Sequence, residues 1–194
     1  MKKYKIIYAD PPWRFKAYSQ KGLGRSAERY YPTMSIEDIQ ALPVGELADS
    51  DCVLFLWTTL PFLKDCFSVI SAWGFEYKTV AFVWIKLNRK ADSLFWGMGH
   101  WTRSNAELCI LAVKGHPKRI SAGVHQVVVS HIEEHSKKPN EVRDKIVTLM
   151  GDLPRVELFA RQRTEGWDVW GNEVDSDIQF GARNCLSGGD SIVG

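Results

Sequence analysis

The stretch Lys5–Phe15, KIIYADPPWRF, decides how the rest of the chain is interpreted. Its apolar run ends in the carboxylate of Asp10, two prolines follow, and Trp13 closes the motif. Because proline fixes φ and carries no backbone N–H, the paired prolines must end the strand that the apolar run predicts. The resulting loop is stiff, lacks two backbone N–H donors, and lies between an acid and an indole. Such a loop indicates either an ordinary turn or a site that binds a flat amine.

Outward from this motif, apolar runs of strand length alternate with helical patterns. The predicted strands are Lys5–Asp10, Cys52–Thr59, Tyr77–Lys86, Ala106–Gly115, Gln126–Ser130, Arg155–Ala160 and Trp167–Gly171. The predicted helices are SIEDIQAL from Ser35, Pro61–Trp73 and Pro139–Met150, and Asn88–Asn105 is predicted to be a long loop. This alternation predicts an α/β fold with a parallel-rich sheet and helices on both faces. We expect a single domain over residues 1–175 and a poorly ordered Gly- and Ser-rich tail over residues 176–194.

Composition predicts a single globular domain and does not indicate a binding partner. With 194 residues, 45% of them hydrophobic, the chain is long enough for one globular domain with a substantial core. The four cysteines form no CxxC pair and the five histidines show no metal-ligand spacing, so no metal site is predicted. No signal peptide or long apolar span is present, which predicts a soluble, cytoplasmic protein without a membrane partner.

The distribution of charge is more informative than the net charge of +2. Residues 14–29 contain five basic residues and one acid, and residues 86–119 contain seven basic residues and two acids. Basic loops with interleaved aromatic residues suit a nucleic-acid backbone, although solvated loops of no special function have the same composition. Arg14, Lys16 and Arg103 are the predicted phosphate contacts in these loops.

Chemistry at the opening motif follows from its position after a buried strand. In an open α/β sheet, ligands bind beyond the carboxyl ends of the strands. There the Asp10 side chain and the Pro11 carbonyl can accept hydrogen bonds from an exocyclic amine, while Trp13 stacks on the flat base. A base in a duplex must first be turned out of the stack. Trp57, at the end of another predicted strand, is a candidate for lining the same cleft.

Further stretches of the chain strengthen this interpretation. They are YPTMSIEDI, LFLWTT, WGFEY, GHWTRSNAELCILAVKGHP, KKPNEVRDKI and VELFAR followed by GW and GNEV. Together with ADPPW they make the chain resemble the MT-A70 family of S-adenosylmethionine-dependent adenine-N6 methyltransferases over Lys5–Asp175, and within it the small bacterial and phage members that methylate DNA. The resemblance implies a Rossmann-like methyltransferase sheet in a permuted order, with the catalytic loop before the cofactor strand. That order explains why no GxGxxG fingerprint is present.

The resemblance also assigns residues. It implies that the catalytic loop consists of Asp10, Pro11, Pro12 and Trp13. The implied contacts of S-adenosylmethionine are Asp10, Ser136, Lys138, Arg161, Asn172 and Glu173. Tyr31 matches a family tyrosine near the methyl-transfer site. The chain departs from the family at Gln162, Arg163 and Thr164, where a His and an Asn are usual, and at Glu173, where a Gln is usual.

Three functions remain in competition at this point. The first is adenine-N6 methylation of nucleic acid, with DNA favoured over RNA because the chain is compact; a homodimer is compatible with it. The second is a non-catalytic, nucleic-acid-binding subunit of the same fold, which the intact Asp10 disfavours. The third is methylation of a protein amide, which is disfavoured because related loops for glutamine side chains usually begin with Asn.

Overall fold

A computed structural model of the chain describes residues 2–14, 33–99, 101–133 and 137–180. Within these ranges the strands are β1 (Tyr4–Ala9), β2 (Ala48–Thr59), β3 (Glu76–Asn88), β4 (Ala91–Leu94), β5 (Glu107–Lys114), β6 (Val127–His131), β7 (Arg155–Leu158) and β8 (Asp168–Trp170). The α-helices are α1 (Ile36–Ala41), α2 (Leu63–Ala72) and α3 (Glu141–Met150). The strands form one sheet in the order β4-β3-β5-β2-β1-β7-β8, with β6 paired to β3.

Local sequence signals place the helix ends. The Ser35 side chain accepts a hydrogen bond from the Asp38 backbone N at 3.1 Å, which confirms the predicted N-cap of α1. A short 3-10 turn, Leu60–Phe62, leads into α2, so the proline-initiated helix begins two residues later than predicted. Gly74 follows α2 with a φ of 78°, a conformation that glycine adopts without strain.

Helices cover both faces of the sheet, as predicted. On one face, α1 and α2 contribute Ile39, Val69 and Ile70 to a core cluster. On the other face, α3 contributes Val142 and Ile146 to a second cluster. The apolar run of β2 is buried from Cys52 to Trp57 because its side chains enter the two clusters alternately. The structure thus confirms the α/β class and the Rossmann-like sheet.

The sheet is mixed, and its two halves differ. β1 pairs in parallel with β2 and β7, and β7 pairs in parallel with β8. β5 runs antiparallel between β2 and β3. The predicted loop Asn88–Asn105 is wrong in part, because β4 lies within it and forms a hairpin with β3. All four residues of β4 are exposed, so no hydrophobic alternation marked this strand in the sequence.

The ordered packing continues past the predicted start of the tail. Ile178 and Phe180 are buried in the first core cluster, and the ring of Phe180 lies edge-on to that of Trp170 with centroids 4.7 Å apart. The expected tail boundary after Asp175 is therefore too early by at least five residues, because two apolar side chains were hidden in a polar stretch. Residues 181–194 lie outside the described residues.

One edge of the sheet collects the segments that matter for function. β1, β2, β7 and β8 all end there, and the antiparallel β5 begins there. We call it the carboxyl edge. None of the helices formed by the described residues has the length and apolar character needed to cross a membrane.

Candidate functional site

Asp10 stands at the centre of the carboxyl edge, directly after β1. Its carboxylate Oδ2 accepts a hydrogen bond from Lys138 Nζ at 2.7 Å. Lys138 lies 128 residues away in sequence, just before α3, and is buried. The structure therefore brings together the acid of the opening motif and the lysine that the resemblance assigned to cofactor binding.

Two charged residues that sequence reasoning missed extend this contact into a chain of ion pairs. Glu107, the first residue of β5, accepts from Lys138 Nζ at 3.2 Å through Oε2. Its other oxygen, Oε1, accepts from Lys86 Nζ of β3. Glu107 is buried, and burial of a carboxylate requires such pairing. An acid at the start of a buried strand was the available signal, and the partners on other elements were not visible in the sequence.

The network shifts the pKa values of its two carboxyl groups in opposite directions, upward for Asp10 and downward for Glu107. Burial raises the pKa of the Asp10 carboxyl above its usual range, and the charge of Lys138 only partly offsets this; nearby Glu107 raises it further. Burial also acts to raise the pKa of Glu107, but Lys138 and Lys86 outweigh it and hold that pKa low. Burial acts to lower the pKa of Lys138, and the charges of Asp10 and Glu107 outweigh it, so the ammonium stays protonated.

Trp13 does not have the position that was predicted for it. Its indole is 5% exposed and stacks on Phe62, with ring centroids 5.7 Å apart and planes 16° from parallel. Its Nε1 donates to the Trp57 carbonyl at 3.1 Å. Because the ring packs on Phe62 and Nε1 is hydrogen-bonded, Trp13 anchors the loop and does not present a ring face to a base. The prediction of a stacking role is wrong for this structure, because the sequence did not reveal Phe62 as a partner.

The two prolines have partly satisfied carbonyls. The Pro11 carbonyl accepts from the Trp13 backbone N at 2.9 Å, and the Pro12 carbonyl accepts from the Met34 backbone N at 2.9 Å. A carbonyl oxygen has two lone pairs, so Pro11 retains capacity for one more donor. These bonds fix the loop that follows Asp10.

Trp57 also differs from its predicted place. It is fully buried, and its Nε1 donates to Tyr8 Oη at 2.7 Å. Lys138 Nζ lies 5.6 Å from the centroid of the Trp57 ring. Trp57 thus packs against Lys138 and does not line the cleft. Its position at a strand end predicted that it would be accessible to a ligand. That prediction is wrong because the side chain faces the second core cluster.

A cleft opens beside Asp10. Its lining residues are Tyr8, Asp10, Lys137, Lys138, Arg143, Glu157, Phe159, Arg161, Gln162 and Glu173. Arg161 Nε donates to Glu173 Oε1 at 3.0 Å across the mouth of this cleft. Four of the residues assigned to the cofactor, Asp10, Lys138, Arg161 and Glu173, therefore surround one space. Asn172 is exposed next to Glu173 and is not among the lining residues.

Tight backbone packing shapes the wall formed after β7 and β8. Phe159 has a φ of 61°, which is uncommon for a bulky residue, and its ring lies edge-on to Trp170 at 5.3 Å. A Cβ added to Gly171 would lie 2.1 Å from the Ala160 carbonyl oxygen, so only glycine allows this approach. Strain at such a position is typical of binding sites.

The floor of the cleft is a buried ion pair that sequence reasoning also missed. Arg143 of α3 donates to Glu157 of β7 through Nε at 2.7 Å and Nη2 at 2.6 Å. The guanidinium lies 5.4 Å from the Tyr8 ring centroid. Both charged residues occupy positions that face the core, beside Val142 and Val156. Charges at such positions were the sequence feature that could have indicated a buried ion pair. A bidentate pair of this kind gives the floor a fixed geometry.

The remaining predicted residues are not gathered at this cleft. Arg14 is exposed directly after Trp13, and Arg103 is exposed in the segment between β4 and β5 with Nη1 3.8 Å from Met98 Sδ. Lys16, Tyr31 and Ser136 lie outside the described residues.

The arrangement suits a particular kind of ligand pair. Lys138 and Arg161 supply cationic donors for a carboxylate, and Glu173 supplies acceptors for hydroxyl groups. Asp10 presents a carboxylate, 29% of whose side chain is exposed, at the end of the cleft. The cleft therefore fits a cofactor with an amino-acid end and a sugar, and Asp10 fits an amine donor placed next to it.

Comparison with known proteins adds an independent result. The model of the MT-A70 family matches residues 4–173. The Type II methyltransferase M.MunI of Mycoplasma sp is 37% identical over 197 residues, covering 92% of this chain and 82% of that protein. The human N(6)-adenosine-methyltransferase catalytic subunit METTL3 is 29% identical over 177 residues, covering 89% of this chain but 28% of that protein. The Drosophila melanogaster N(6)-adenosine-methyltransferase MT-A70-like protein is 31% identical, with 27% of its length covered.

Proposed function

This chain belongs to the MT-A70 family, and from that premise we propose that it transfers a methyl group from S-adenosylmethionine to N6 of adenine in DNA. The observation that carries the proposal is the position of Asp10, at the end of β1, beside a cleft that contains Lys138, Arg161 and Glu173. DNA is proposed over RNA because the chain matches a type II methyltransferase over most of its length, whereas it spans only 28% of METTL3.

The donor set of the cleft fits S-adenosylmethionine. Lys138 and Arg161 would hold its carboxylate, and Glu173 would accept hydrogen bonds from the ribose hydroxyls. When bound, this cofactor supplies an electrophilic methyl group. Lys138 also bonds to Asp10, so the same ammonium would connect the cofactor site to the substrate site.

Asp10 orients the substrate amine. The lone pair of adenine N6 is delocalised into the ring, and a hydrogen bond from the amine to the carboxylate directs the nitrogen toward the methyl group. The free lone pair of the Pro11 carbonyl would accept the second amine hydrogen. Holding the reacting atoms in this geometry is a large part of what such a site contributes to the rate. The buried Trp13 anchors the loop that carries both acceptors, through its contacts with Phe62 and the Trp57 carbonyl.

The electrostatic network makes a prediction about pH. Both oxygens of Asp10 can accept a hydrogen bond from the amine only when the carboxyl group is ionised. Methyl transfer should therefore fall as the pH drops through the raised pKa of Asp10. Lys138→Gln removes a positive charge and raises that pKa further, which moves the acid limb of kcat/KM to higher pH. Glu107→Gln removes a negative charge and moves the limb to lower pH. Shifts of roughly one unit or more are expected from charges at these distances.

The measurement is the pH profile of kcat/KM for wild type and the two variants. Opposite displacements of the acid limb are required, and a shift of both variants in one direction would contradict the assignment of this limb to Asp10. The rate at the optimum is a separate readout, since Lys138→Gln is also expected to raise the KM for S-adenosylmethionine.

The proposed function is tested with methyl-labelled S-adenosylmethionine and two substrates, unmethylated genomic DNA and total RNA. Nucleoside mass spectrometry is expected to find N6-methyladenine in the DNA. Label in RNA alone would replace the proposed substrate. Cofactor binding without transfer to any nucleic acid would indicate a non-catalytic subunit, and label on protein would indicate an amide methyltransferase.

A further inference from the structure

Exposed apolar side chains are concentrated in the segment between β4 and β5. We call it the apolar tip: Trp96, Met98 and Trp101, which are 61%, 69% and 92% exposed. Among the described residues ten large hydrophobic side chains are exposed, and four of them, these three and Leu94, fall within eight consecutive positions. Such a concentration of exposed apolar surface marks an interaction site.

Hydrogen bonds connect residues on the two sides of the apolar tip. Gly97 N donates to the Ser104 carbonyl at 2.7 Å, and Ser104 Oγ donates to the Met98 carbonyl at 2.7 Å. A Cβ on Gly99 would clash with the Thr102 carbonyl oxygen, so this close approach of the two residues requires glycine. Residues on both sides of the apolar tip are therefore packed against each other.

Asn105, between the apolar tip and β5, is connected to the candidate site by hydrogen bonds and ion pairs. Asn105 Nδ2 donates to the Lys86 carbonyl at 2.9 Å, and the Lys86 N donates to Asn105 Oδ1 at 2.9 Å. The Lys86 side chain bonds to Glu107, which pairs with Lys138, the partner of Asp10. The apolar tip thus rises from the carboxyl edge, on the same edge as Asp10.

The charges of the segment that contains the apolar tip indicate the occupant. Arg89 and Lys90 are exposed at the β3–β4 turn, and Arg103 is exposed beside Met98. Against these three cations the segment 88–105 has one acid, Asp92, which lies 3.1 Å from His131 Nε2. Cations flanking large apolar side chains are complementary to a phosphate backbone around stacked bases.

We propose that the apolar tip inserts into a DNA duplex next to the target adenine and fills the space that the base leaves when it is turned out toward Asp10. The proposal rests on the proposed function. Apolar side chains that enter between base steps are known devices for unstacking a duplex, and an enzyme that acts on the amine of a paired base must extrude that base. The apolar tip would stabilise the extruded state, while Arg103, Arg89 and Lys90 hold the adjoining phosphates.

The test separates extrusion from chemistry. The position methylated by wild type in genomic DNA is mapped first, and two short duplexes carrying it are made, with thymine or an abasic residue opposite the target adenine. Met98→Ala, Trp101→Ala and the double variant should lose kcat/KM on the thymine duplex by about tenfold or more. On the abasic duplex, where extrusion costs less, they should stay near wild type.

The matched control is Ile120→Ala, an exposed apolar residue at 72% whose backbone N bonds to the Leu149 carbonyl near the opposite edge of the sheet. It should behave as wild type on both duplexes. Equal losses on both duplexes, no loss on either, or a change in the solution mass of the variants, which would point to a second copy as occupant, each overturn the proposal. A wild type that methylates only unpaired adenines overturns it while leaving the proposed function standing, and a wild type without nucleic-acid methylation refutes the function itself.

Discussion

Replacing Asp10 by Asn is expected to lower kcat for methyl transfer by about 10²- to 10⁴-fold, the range typical of a group that positions and polarises a reacting atom. Asparagine has nearly the same volume, but its amide presents an N–H₂ group and has no charge. It would accept one hydrogen bond from the substrate amine at most and would lose the ion pair with Lys138 at 2.7 Å. Steady-state kinetics on unmethylated DNA measure the effect.

Two further measurements make the Asp10 result specific. The thermal midpoint of Asp10→Asn should equal that of wild type or exceed it, because the raised pKa of Asp10 shows that the fold disfavours the ionised carboxylate. The control is Asp144→Asn, which alters an exposed acid on α3 and should leave kcat unchanged. Wild-type kcat in Asp10→Asn would remove Asp10 from the mechanism and, with it, the main support for the proposed function.

The residues alone pointed to Asp10, because it directly follows the apolar run of β1 and ligands of open α/β sheets bind beyond the carboxyl ends of the strands. Arg161, Lys138 and Glu173 were assigned by the resemblance. All three line the cleft beside Asp10.

The missed features share a physical cause. Glu107, Arg143 and Glu157 are charged residues on core-facing positions, and a pattern of apolar periodicity treats a charge as exposed. Their burial is possible only because each has a partner on another element, which no local window contains. The same limit explains Trp13: its neighbour Phe62 lies at the entrance to α2, and stacking between them closes the face that a base was expected to use.

The largest loss of stability is expected from Glu157→Gln. The side chains of Arg143 and Glu157 are only 10% and 7% exposed, so the variant leaves a buried guanidinium without its counter-charge. Breaking one partner of a buried pair costs about 3–5 kcal/mol. For a domain of this size each kcal/mol lowers the thermal midpoint by roughly 2–4 °C, so a decrease of about 10 °C is expected in calorimetry.

Removing both charges tests whether the loss of stability in Glu157→Gln comes from the unpaired charge or from altered packing. The double variant Arg143→Met/Glu157→Leu buries no charge and should recover most of the lost stability, because apolar replacement of a buried pair is often neutral. An exposed pair is the matched control: Lys78 and Glu76 are 2.6 Å apart but in solvent, and Glu76→Gln should leave the midpoint unchanged. If the double variant is as unstable as Glu157→Gln, the unpaired charge is not the cause. The recovered protein should still show weaker binding of S-adenosylmethionine, since Arg143 and Glu157 both line the cleft.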